Sequence, residues 1–108
     1  NGGDGNSIGL TGGSQTQVVI EGSLSANGGA GPAGGNGGAV TIGSSTLRTI
    51  HLTSTGAVTA NGGATNGDGG TIILNAAGTG GANIPQDAGS LVQADPDGTG
   101  SGGTVLID

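Results

Sequence analysis

The sequence predicts an all-β parallel β-helix, a solenoid with three strands per coil, about 32–34 residues per coil and a little over three coils. Three observations lead there. The first is self-similarity. Gly22–Ile42 (GSLSANGGAGPAGGNGGAVTI), Gly56–Leu74 (GAVTANGGATNGDGGTIIL) and Gly89–Ile107 (GSLVQADPDGTGSGGTVLI) are one phrase written three times. The strand ends Leu10, Ile42, Leu74 and Ile107 are 32, 32 and 33 residues apart. A fixed period of this length marks a repeat that buries its apolar face against its neighbours. The second is the form of the apolar runs. They are four or five residues long, rich in Val, Ile and Thr, and bounded by Gly and Asn, as strands are. The third is composition. Gly makes up 29 of 108 residues, which is costly in helices. Phe, Tyr, Trp, Met and Cys are absent, so a thin column of stacked aliphatics suits the chain better than a wide core.

Taken in order, the units run 1–21 (partial), 22–55, 56–88 and 89–108 (partial), all within one domain spanning 1–108. Asn1–Asn6 matches the loop that follows Ala26 and Ala60. The second strand of each unit has copies at Ser7–Leu10, Ala39–Ile42, Thr71–Leu74 and Thr104–Ile107. Alternation turns Ile8, Leu10, Val40, Ile42, Ile72, Leu74, Val105 and Ile107 inward. Thr41, Ile73 and Leu106 face outward, the last two as neighbours. A further strand lies at Gln17–Ile20 and Arg48–Leu52, with a weak counterpart around Ala82–Ile84 that Pro85 cuts short. The remaining strand is Ser23–Ala26, Ala57–Ala60 and Ser90–Ala94, with Leu24, Val58 and Leu91 inward. Gly22, Gly56 and Gly89 share a corner where a sharp bend calls for positive φ. Asn1, Asn27 and Asn61, each followed by Gly-Gly, are expected to stack as an asparagine ladder, with Asp95 in that place in the last copy.

Charge narrows the partners. The formal charge is −6 and Arg48 is the only Lys or Arg. Neutralising phosphates needs cations, so nucleic acid is excluded as a partner, and attraction to anionic membranes fails for the same reason. No apolar run nears the roughly 20 residues of a membrane span. Without cysteine there are no disulfides or thiolate metal sites. Glycine does not recur every third residue, so the chain is not collagen-like. Clusters that recur in register set it apart from a glycine-rich linker.

The alternation of G-[SA]-[LV]-x-A-N-G-G with G-G-x-[VI]-x-[IL] resembles the glycine-rich repeats of bacterial filamentous-haemagglutinin-like and autotransporter-type β-helical surface exoproteins. The resemblance covers essentially the whole chain. It implies a right-handed β-helix, secretion to the cell surface or beyond, and a structural or adhesive role. It carries over no catalytic residues.

The residues offer little chemistry. Gly2–Leu10 (GGDGNSIGL) approaches a calcium-binding nonapeptide, but Ser7 stands where an aspartate ligand is needed and the motif occurs once. The better calcium candidate is the loop Asp95–Ser101 (DPDGTGS), with Asp95, Asp97 and Thr99 at alternate positions as in the first half of an EF-hand loop. Leu106 takes the place of its closing bidentate acid. The bland reading of Asp95 and Asp97 is that they cap turns. His51 faces outward and alone, and Arg48 sits at a corner or snorkels its stem. No other cofactor is implied, and the chain is read as a non-enzyme. Two other functions are compatible with a β-helix. An ice-binding face needs a flat regular array, which the column Gly9, Thr41, Ile73 and Leu106 is not. A pectin-lyase-like, polysaccharide-active site needs clustered acids with a base, and only Asp95 and Asp97 lie close.

Asn1 enters in mid-repeat and Asp108 follows a strand directly. Uncapped solenoid ends invite pairing with another chain, so the expectation is either a stretch of a longer solenoid or copies that associate head to tail into a filament.

Overall fold

The computed structural model describes residues 2–11, 17–44, 47–78 and 82–107. Asn1 and Asp108, on which two of the expectations rest, lie outside them. Among the described residues there is no helix and 41% are in strands or bridges, all paired in parallel, an arrangement compatible with a β-solenoid. The strands are β1 (Ser7–Leu10), β2 (Gln17–Ile20), β3 (Ser23–Ser25), β4 (Ala39–Ser44), β5 (Thr49–Leu52), β6 (Ala57–Thr59), β7 (Thr71–Ala76), β8 (Leu91–Gln93) and β9 (Thr104–Ile107). They form three sheets in the orders β1-β4-β7-β9, β2-β5 and β3-β6-β8. Each strand pairs with its own copy in the repeat, as in Ser7↔Ala39, Gln17↔Thr49 and Ser23↔Ala57. The shortest extent of the molecule, 18 Å, is about what four strands occupy when stacked ~4.8 Å apart, so its 48 and 25 Å extents lie across the stack.

The core is the column of stacked aliphatics that alternation predicts. Val40, Ile42, Ile50, Leu52, Val58, Ile72 and Leu74 have no exposed surface. Val40 lies on Ile72, Ile42 on Leu74 and Val18 on Ile50, so like packs on like along the stack. Ala26, Ala60 and Ala94 are buried where each coil leaves its short strand, one alanine per coil. Leu47 is also fully buried, although it precedes β5 and follows no alternating run.

Three expectations need correction. Val92, not Leu91, continues the inward column, because Val58 pairs with Val92 while Leu91 pairs with Ala57 and is 43% exposed. The segment Gly89–Ala94 is one residue longer than Gly22–Ala26 and Gly56–Ala60, and register is kept from the alanine end. The surplus residue is taken up beside Gly89, which alone of the three corner glycines has positive φ, at 94°. Gly22 and Gly56 need no such backbone. The counterpart of β5 near Ala82–Ile84 is as weak as expected, two isolated bridges, Thr49↔Asn83 and Leu52↔Gln86. Residues 2–6 stack as a copy of residues 34–38, the return side of the loop that follows Ala26, and not as a copy of Asn27–Gly29, as the bonds from Gly2 N–H to the Ala33 carbonyl (2.9 Å) and Gly5 N–H to the Asn36 carbonyl (2.7 Å) require; Gly29 N–H also donates to the Gly3 carbonyl (2.8 Å). Val105 and Ile107 keep inward parity over Ile72 and Leu74 but are 42% and 47% exposed, since β9 pairs with β7 alone among the described strands.

Between the short strand and the next long strand the chain makes a glycine lobe. An outgoing limb and a return limb lie against each other, joined by Gly38 N–H to the Ala26 carbonyl (2.7 Å) and Gly35 N–H to the Gly29 carbonyl (2.9 Å). The next copy repeats this with Gly70 to Ala60 (2.7 Å) and Gly67 to Gly63 (2.9 Å). Glycine is required here by close approach and not by φ. A Cβ on Gly37 would overlap the Ala60 carbonyl oxygen, and one on Gly69 the Ala94 carbonyl oxygen.

Candidate functional site

The most organised polar feature lies on these limbs. Asn36 accepts the N–H of Asp68 on Oδ1 at 3.0 Å, while the next residue, Gly37, donates its N–H to the carbonyl of the same Asp68 at 2.8 Å. One Asx–Gly dipeptide thus grips both backbone groups of the residue stacked on it. The same two-bond clamp recurs. Asp4–Gly5 holds Asn36 at 2.9 and 2.7 Å. Asp68–Gly69 holds Ser101 at 2.7 and 2.9 Å. Asn27–Gly28 holds Asn61 at 2.8 and 2.8 Å, and Asn61–Gly62 holds Asp95 at 2.8 and 2.8 Å. The clamps form two columns, Asn27–Asn61–Asp95 on the outgoing limb and Asp4–Asn36–Asp68–Ser101 on the return limb.

The first column is the expected ladder, with a different bond. Its carbonyl oxygens take backbone N–H groups and do not simply pass amide to amide. The second column was not foreseen, although D-G, N-G, D-G and S-G at a 32–33 residue spacing is visible once it is sought. A side-chain oxygen and a glycine N–H are what the clamp needs. Asn and Asp both supply the oxygen, and Gly lets the limbs approach.

The calcium candidate sits on this scaffold. Asp95 stands above Asn61, and its Oδ2 accepts from Gln93 Nε2 at 2.6 Å. Asp97 Oδ2 accepts from the backbone N–H of Asn66 at 3.1 Å, and the N–H of Thr99 donates to Asn66 Oδ1 at 2.8 Å. The loop closes through Gly100 N–H to the Asp97 carbonyl (2.9 Å) across Gly98, whose φ is 52°. Asp97 and Thr99 therefore meet on Asn66, while Asp95 belongs to the other limb. Among the described residues, no three His, Cys, Asp or Glu side chains gather as a metal site.

His51 pairs across β2-β5 with Val19, and its Nε2 lies 3.1 Å from Asp87 Oδ2, both groups being partly exposed. An exposed pair of this kind contributes at most about 1 kcal/mol. Two hollows accompany the scaffold. One, of about 520 Å³, runs along the return limbs between Asp4, Asn36 and Asp68 and the strand starts Ser7, Ala39 and Thr71. The other, of about 240 Å³, is more apolar and is lined by Leu10, Val18, Val19, Ile20 and Leu24. Among the described residues, no helix is long and apolar enough to cross a membrane. No family model, curated protein or solved structure matches the chain.

Proposed function

We propose that the chain is a structural and adhesive module of an extracellular, bacterial surface protein, of the filamentous-haemagglutinin-like or autotransporter type that its repeats resemble. In this reading it is a right-handed β-helix with three strands per coil and a little over three coils. The right hand is that of nearly all crossovers between parallel strands of one sheet. Coils stack head to tail, either within one long stalk or between copies in a filament. The observation that carries the proposal is the clamp. Conserving register along an axis is its whole chemistry, and it repeats wherever the described lobes stack. Exposed Val105 and Ile107 on one face of the stack, and the apolar hollow beside Leu10, Ile20 and Leu24 on another, are surfaces that head-to-tail contact would cover.

Electron microscopy and fibre diffraction at near-neutral pH, with and without a calcium chelator, test this. Fibres with a ~4.8 Å axial repeat are expected. Their loss on chelation would make Asp95, Asp97 and Thr99 a calcium-dependent assembly loop. Discrete particles at all concentrations would remove self-association by this chain and leave the stalk reading, which rests on the fold.

A further inference from the structure

Asn27, Asn36, Asn61 and Asn66 are each followed by Gly. This is the pair in which least bulk hinders the backbone nitrogen from attacking the side-chain amide. In that reaction the Gly nitrogen bonds to Asn Cγ, the Cγ–Nδ2 bond breaks, and Nδ2 leaves as ammonia with the proton from the Gly amide. Water then opens the cyclic imide to aspartate or to isoaspartate, whose backbone is one carbon longer.

We propose that the Asx–Gly clamp is also a chemical shield, which keeps these pairs from deamidating while the stack is closed and makes them modification sites when it opens. Both reacting groups are held in the clamp. Gly37 and Gly62 point their N–H groups at the carbonyls of Asp68 and Asp95, and Asn36 and Asn61 hold the N–H groups of the same two residues. Closing the imide ring requires Cγ to turn onto the Gly nitrogen, which breaks both bonds at once. Asn36 and Asn61 are held from the other side too, since their own N–H groups donate to Asp4 and Asn27. Asn61 Nδ2, the leaving group, donates to Gln93 Oε1 at 3.1 Å. Asn66 is held differently, with Oδ1 on Thr99 and the Gly67 N–H on Gly63.

Opening is costly to reverse. Aspartate at position 36 would stand between Asp4 and Asp68 in one column, and isoaspartate would shift the return limb out of register. Each opening that lasts long enough to react is thus recorded permanently in the chain. This inference stands on the clamp geometry and not on the surface role proposed above.

The test compares the intact folded chain with the same chain in guanidinium chloride, both in warm, mildly alkaline buffer. Mass spectrometry locates each gain of aspartate or isoaspartate. In the unfolded chain, these four of the five Asn–Gly pairs (the fifth is Asn1–Gly2) are expected to react at similar rates. In the folded chain, Asn36 and Asn61 are expected to react at least ~10-fold more slowly, the factor that about 1.4 kcal/mol of opening free energy provides. Similar rates in the two states, with the strand circular-dichroism signal retained in the former, overturn the proposal.

Discussion

At the scale of single residues, the return-limb column alternates Asp4, Asn36 and Asp68, and the alternation has an electrostatic reason. Stacked copies are ~4.8 Å apart, so a third carboxylate at position 36 would face two others at that distance. Even in water, like charges so close repel by about 1 kcal/mol per pair. Asn36→Asp keeps the acceptor for the Asp68 N–H and is expected to destabilise mainly by repulsion, by about 1–2 kcal/mol at low salt and less as salt screens it. Asn36→Ala removes the acceptor and is expected to cost about 1 kcal/mol with little salt dependence. Thermal unfolding of both variants across a salt series separates the two causes. Equal salt slopes would show that charge plays no part in the choice of Asn. The ladder was legible at Asn27, Asn61 and Asp95 because N-G-G repeats as a string. It was not legible at Asp4, Asn36, Asp68 and Ser101, where three residue types share one position and only the stacking reveals their common bond.

At the scale of the element, strands β1–β7 lie where alternation and β-branched residues place them, while β8 shows the limit of counting. Counting from Gly89 makes Leu91 the inward residue; counting back from Ala94 makes it Val92. Packing decides, since Ala26, Ala60 and Ala94 are all buried, and keeping them in register sets Val92 on Val58. Leu91→Ala should therefore change stability by under about 1 kcal/mol, whereas Val92→Asp should cost several kcal/mol by placing a charge against Val58. If Leu91→Asp proves the more damaging aspartate in denaturant titration, the register of β8 is wrong. Leu47 escaped the count for a related reason. It is a corner residue, and no period of two announces it. The glycine lobe divides the same way. Gly37→Ala drives a methyl group into the Ala60 carbonyl and should cost about 3 kcal/mol or more. Gly102 has no atom within reach of a Cβ, so Gly102→Ala should be neutral or slightly stabilising by about 0.5 kcal/mol, through the unfolded chain. Composition announces that glycine matters, but only the facing limb says which glycine.

At the scale of the whole molecule, the periodic fold was readable because each level of the sequence agrees with the next: spacing, strand pattern and small residues all describe one stack. What the period hides is where the clamp weakens. In the last copy, Asp95 is followed by Pro96, which has no N–H to give, and Ser101 offers only a hydroxyl oxygen, one bond short of the position that an Asn or Asp oxygen takes. Each column therefore offers half a clamp to whatever lies above it. If stacking between copies runs through these columns, Asp95 and Ser101 of one molecule would receive Asn27 and Asp4 of the next. Replacing Pro96 with Gly and Ser101 with Asn restores one hydrogen bond per column, about 1 kcal/mol each. The association constant should then rise on the order of 30-fold. Sedimentation at matched concentrations reads this directly, and electron microscopy should show longer particles. Monomer stability is a poor readout for the same variant, because removing proline loosens the unfolded chain by a comparable amount, about 0.4–1 kcal/mol. An unchanged association constant in a variant that keeps its strand signal would mean that the lobes do not meet between copies. Association would then have to depend on the apolar strand faces around Val105 and Ile107, and Val105→Asp would be the substitution that abolishes it.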